Sequence, residues 1–78
     1  MISGSQIRGA RAMLGLKQAE LAEMAGISKT GLINIESGRA DPKVSTLEAI
    51  RRALESAGVI FVDENGEGPG VRLRKAMK

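Results

Sequence analysis

The chain has 78 residues, a formal net charge of +3, and neither cysteine nor histidine. That length makes one domain with a thin core, and the missing residue types exclude disulfide staples and a Cys/His zinc centre. Without a His or Cys nucleophile, and with too little core to desolvate a pocket, the chain is expected to be neither an enzyme nor a cofactor carrier.

Ser3-Gly-Ser-Gln6 fits a capping box and opens a first helix expected over 4–14. Ile7, Ala10 and Leu14 fall on one face of it, and Gly15 stops it. A second helix is expected over 18–25, with Leu21, Ala22 and Ala25 inward and Gly26 as its left-handed stop. A third follows over 28–37, capped by Ser28, with Leu32 and Ile35 inward and Gly38 at its end. Arg39 to Lys43 reads as a loop, because Pro42 disfavours helix at Asp41. Ser45-Thr-Leu-Glu48 reads as another capping box, opening a fourth helix over 46–57 with a stripe of Leu47, Ile50, Ala53 and Leu54.

After Gly58 the periodicity changes. Val59-Ile-Phe-Val62 is short, apolar and β-branched, Asn65-Gly66 is a turn signal, and Val71-Arg-Leu-Arg74 alternates apolar with basic. A hairpin with strands at about 59–63 and 71–74 follows from this, with a frayed basic tail. The expected fold is mainly α: a compact four-helix unit over 1–58 and a β-hairpin extension over 59–78.

Leu16 to Gly38 holds two short amphipathic helices joined at Gly26, the second with Lys29, Thr30 and Asn34 on its outer side. That is the layout of a helix-turn-helix, which lays its second helix in the major groove of DNA. Cations outnumber anions over 1–44 and again from Asn65 onward, flanking an acidic middle. Basic ends suit a polyanion partner. No apolar run reaches the ~18 residues of a membrane span, so no membrane partner and a cytoplasmic location are expected.

From Ile7 to Leu54 the chain resembles the phage repressor and Cro type of helix-turn-helix, the xenobiotic-response-element family of bacterial regulators. The resemblance rests on Ile7-Arg8, Arg11, Gly15-Leu16, Gln18, Glu20-Leu21-Ala22, Gly26-Ile27-Ser28, Leu32, Ile35-Glu36, Gly38, Pro42 and Leu47, in register. It implies binding of double-stranded DNA as a homodimer on a near-palindromic operator. It implies that Lys29, Thr30 and Asn34 contact bases, by chemistry suited to guanine, a thymine methyl and adenine. It also implies that Gln18, Ser28, Ser37, Arg39 and Lys43 meet phosphates, Gln18 from a helix N-terminus that is itself an anion seat. Arg11 and Glu36 match the positions of a structural ion pair between helices 1 and 3. Three residues depart from the pattern. Lys17 stands where a Ser or Thr cap is usual, Gly31 sits inside helix 3, and Ile33 falls on its exposed face.

The family's usual fifth helix is replaced here by strand-like sequence. An isolated hairpin is marginal in water, so a symmetric dimer through Val59, Phe61, Val62, Val71 and Leu73 is one expectation. Packing of the hairpin on its own helix 4 is another, and a DNA-touching wing with Arg72 and Arg74 is a third. The function expected is a sequence-specific, dimeric transcriptional repressor. The alternative is an antitoxin that binds a toxin partner through its C-terminal segment and autoregulates its operon.

Overall fold

The computed structural model describes residues 1–75. Helices α1 (Gly4–Leu14), α2 (Gln18–Ala25), α3 (Lys29–Glu36) and α4 (Val44–Ser56) precede strands β1 (Val59–Val62) and β2 (Gly70–Leu73). The four-helix unit with a C-terminal hairpin is therefore the fold the chain adopts.

The start of α1 follows from its first residues. Ser3 Oγ accepts the Gln6 N–H at 3.2 Å, and Gln6 Oε1 accepts the Ser3 N–H at 2.9 Å. This reciprocal pair satisfies donors that a helix start would otherwise strand. Gly15 and Gly26 end α1 and α2 at φ 69° and 72°, where a Cβ is strained. At α2 only half of a capping box forms. Lys17 has no acceptor to offer, yet Glu20 Oε1 still accepts the Lys17 N–H at 2.9 Å.

Helix α4 begins earlier than its sequence suggests. The N–H groups of Thr46 and Leu47 both reach the Lys43 carbonyl, at 3.0 and 3.1 Å. The first turn is thus closed from Val44, and Ser45 lies inside it instead of capping it. At α3 the correction is one residue at each end: the helix runs from Lys29 to Glu36, with Ser28 as its N-cap and Ser37 as its C-cap.

Ile7, Leu21, Leu32, Ile50, Leu54 and Val59 are fully buried, so every helix and β1 contribute to one core. Each such side chain stabilises by about 1.5–3 kcal/mol relative to exposure. Leu14 and Ala25 pack half-buried against this cluster. Ile2, ahead of α1, joins the core although its sequence context does not announce it.

The hairpin is antiparallel, pairing Val59 with Leu73, Ile60 with Arg72, Phe61 with Val71 and Val62 with Gly70. Opposed residues share a face, so Val59, Phe61 and Val71 turn toward the helices while Ile60, Val62 and Arg72 turn away. This corrects the expected dimer interface at two positions. Val59 and Phe61 are buried in the protomer's own core and have no surface left to offer a partner; the hairpin packs on its own helices instead. The Arg51 guanidinium on α4 lies 5.7 Å from the Phe61 ring centroid, within cation–π range. Gln6 Nε2 donates to the Gly70 carbonyl at 3.1 Å, tying α1 to β2. A Cβ at Gly9 would stand 3.4 Å from Val71 Cγ2, so α1 and β2 approach closely.

Arg74, expected in the second strand, lies just past the end of β2 but is held: its N–H donates to the Gly58 carbonyl at 2.7 Å and Nη2 to the Glu55 carbonyl at 3.3 Å. Lys78 lies outside the described residues. Among those residues no helix is long and apolar enough to cross a membrane.

Candidate nucleic-acid interface

Helix α3 is anchored from within and free on its other side. Leu32, Ile35 and Glu36 are buried, whereas Lys29, Thr30 and Ile33 are exposed and Asn34 is half-buried. Thr30 and Asn34, four residues apart, stack on one face, with Lys29 and Ile33 beside them. The three expected base-contacting residues therefore share an outer face of α3, and the apolar Ile33 lies among them. An α-helix with its side chains is about 10–12 Å across, which the major groove, about 12 Å wide, admits.

The two ends of α3 differ in what they can give a phosphate. At the start, Ser28 Oγ accepts the Gly31 N–H at 3.0 Å, which leaves its hydroxyl hydrogen free to donate. A Cβ on Gly31 would stand 3.0 Å from that oxygen, so glycine relieves crowding at the cap. At the other end, Ser37 Oγ donates to the Asn34 carbonyl at 3.2 Å, and the Arg39 N–H reaches the same carbonyl at 2.9 Å. The hydroxyl hydrogen of Ser37 is thereby spent on the helix itself. Arg39 and Lys43 are exposed, and neither is in an ion pair among the described residues.

Arg11 and Glu36 form the expected pair, and the structure makes it bidentate. Arg11 Nε lies 3.0 Å from Glu36 Oε2, and Nη2 lies 3.1 Å from Oε1. Arg11 Nη1 also donates to the Leu16 carbonyl at 3.1 Å, which ties down the link between α1 and α2. The Glu36 carboxylate is almost wholly buried, at 3% exposure, and burying it without partners would be costly.

Sequence reasoning missed three contacts at this junction. Gln18 Nε2, at the first residue of α2, donates to Glu36 Oε1 at 3.2 Å. Arg8 Nη1 donates to the Glu36 backbone carbonyl, placing a cation at the negative end of α3. A Cβ on Gly4 would fall 2.7 Å from the Glu36 carbonyl oxygen and 2.8 Å from that of Ile35, so only glycine lets α1 approach α3 this closely. The family pattern at Gln18 and Arg8 was the available signal for the first two. No local pattern marks Gly4.

No buried side-chain nitrogen or oxygen lacks a hydrogen-bond partner among the described residues. The same residues hold no cluster of three or more acidic, His or Cys ligands suited to a metal. What the surface offers is a neutral-to-basic helix face flanked by hydrogen-bond donors.

A Helix-turn-helix family model matches residues 7–57. The chain is 43% identical over 54 residues to the immunity repressor protein of Bacillus phage phi105, covering 69% of this chain but spanning only 38% of that repressor. It is also 43% identical over 63 residues to an uncharacterized HTH-type transcriptional regulator of Methanothermobacter thermautotrophicus, covering 77% of this chain and 91% of that protein. Among solved structures, the P22 c2 repressor bound to a synthetic operator superposes with a TM-score of 0.64 at 31% identity, over 70% of this chain and 83% of that one. The chain belongs to the helix-turn-helix family, in the phage repressor and Cro type of DNA-binding regulator that its sequence resembles.

Proposed function

We propose that the protein is a sequence-specific DNA-binding transcriptional regulator, acting as a dimeric repressor on a near-palindromic operator. The observation that carries this reading is the outer face of α3. Lys29, Thr30 and Asn34 stand together there, while the opposite face is locked into the core. The operator in the P22 c2 repressor complex supports DNA as the ligand. In this reading Gln18, Ser28, Arg39 and Lys43 position the helix through phosphates. Ser37 has the weakest case, because its hydroxyl hydrogen is already donated.

The dimer is argued from reach and from what the hairpin leaves outside. One short recognition helix touches few base pairs, and two half-sites a helical turn apart multiply specificity. Ile60 and Val62 on the outer face of the hairpin, with Leu73 half-exposed at the end of its inner face, remain for a second copy of this chain, beside unpaired strand edges.

Selection from a random DNA library at about 150 mM salt, where non-specific binding fades, tests the reading. A palindromic consensus with half-sites about one helical turn apart is expected. Folded protein that enriches no sequence overturns it.

A further inference from the structure

The geometry points to Glu36 as a positioning residue for DNA binding, holding the Gln18 side-chain amide with its nitrogen turned to donate. This rests on the reading of Gln18 as a phosphate contact.

A glutamine amide has two ends of similar shape and opposite hydrogen-bonding character. Left in solvent, it presents either end to a neighbour. At α2 the choice is removed, because the group beside it is a carboxylate, which only accepts. Gln18 Nε2 meets Glu36 Oε1 at 3.2 Å, and the reversed amide would set one oxygen against another. The carboxylate cannot turn aside, since Arg11 grips both its oxygens at 3.0 and 3.1 Å and the helices bury it.

Nε2 carries two hydrogens, and Glu36 takes one. The second remains available at the first residue of α2, beside backbone donors that the helix itself leaves unpaired. Its first internal bond is Leu21 N–H to the Lys17 carbonyl, so the Gln18 and Ala19 N–H groups have no acceptor within the helix. Side chain and backbone thus present donors together, which suits a phosphate oxygen. A glutamine free to rotate would present its oxygen to that phosphate part of the time. The ion pair therefore does more than join α1 to α3: its carboxylate sets the polarity of a DNA contact on α2, a third element.

A double-mutant cycle on the selected operator tests this. Glu36→Gln keeps the shape but offers Gln18 an amide in place of a carboxylate. Gln18→Met keeps the length and removes the donor. Each single change is expected to weaken binding about tenfold, the worth of a hydrogen bond to a charged group. The double variant should bind no more weakly than Gln18→Met alone. In an Arg39→Ala background Glu36→Gln should keep its full effect. Equal losses from Glu36→Gln in the Gln18→Met and Arg39→Ala backgrounds would show a general loosening of the fold and overturn the proposal.

A second measurement needs no variant at residue 36. In the free wild-type protein the two Gln18 Nε2 hydrogens should give dispersed NMR signals, and one should move further when operator is added. Signals like those of a freely exposed glutamine overturn the proposal. An operator bound equally by wild type and Gln18→Met also overturns it while leaving the regulator reading intact. A wild type that selects no operator overturns that reading itself.

Discussion

Among the described residues, Glu36 gathers more of the structure than any other polar residue. Its carboxylate joins Arg11 and Gln18, and its carbonyl receives Arg8. Glu36→Ala strands the Arg11 guanidinium in a partly buried site, at a cost of about 3 kcal/mol, which in a domain of this size lowers Tm by more than 10 °C or so. Asn34→Ala, on the open face of α3, should leave Tm almost unchanged. Matching thermal melts for the two variants would refute this division between framework and recognition. A smaller acid-sensitive contact sits in the hairpin loop. Glu64 Oε1 accepts the N–H groups of Gly68 and Gly66 at 2.7 and 2.8 Å, and these bonds hold its pKa below the usual carboxylate value. A lowered folded-state pKa means that the contribution is present above the unfolded value and is lost as pH falls through the folded one. The Gly66 and Gly68 amide resonances should therefore shift together at the acid end of a titration, and Glu64→Gln should flatten that response.

At the scale of elements, legibility tracks how local the cause is. The starts of α1 and α3 and the glycine stops lie within a few residues of their caps, so Ser3, Ser28, Gly15 and Gly26 announce them. The apolar stripes of all four helices were equally readable, because helical period allows only one face to be inward. The hairpin's strands were readable too, but which of its faces turns inward was not. Val59-Ile-Phe-Val62 is apolar on both faces, so alternation cannot say which pair turns inward, and only packing against α4 and α1 selects Val59 and Phe61. The clamp from Gln6 to Gly70 joins residues 64 apart, beyond any local pattern. This outcome changes the experiment that addresses the dimer. Phe61→Asp would place a charge in the core and unfold the protein, so Ile60→Asp on the outer face is the sound probe. Sedimentation should show the proposed wild-type dimer weakened by Ile60→Asp with the helical circular dichroism intact. An undiminished dimer would remove the outer strand face from the interface.

For the molecule as a whole, the family pattern names the candidate interface residues, while only the structure shows which of their donors are free and which engaged. Variants should sort accordingly. Lys29→Ala or Asn34→Ala is expected to cost ~1–3 kcal/mol on the selected operator and to flatten sequence preference. Arg39→Ala should weaken all DNA alike and lower the salt slope by about one. Titrations on specific and random duplexes at several salt concentrations separate the two kinds, and equal effects of Asn34→Ala on both duplexes would show that it reads no base.

The joining of α1 to β2 bears also on how the protein comes into being. A helical bundle ordinarily folds fast because its contacts are local, yet here the first helix is completed by the last strand. Until β2 is made, Val59 and Phe61 lack the strand that pairs with them, and Gln6 lacks its acceptor. A chain emerging from the ribosome can thus form its helices early but cannot close its core until residues 70–73 are free. Newly made protein would reach its DNA-competent form only after residues 70–73 have left the ribosome, and fragments ending before them would not compete for operator.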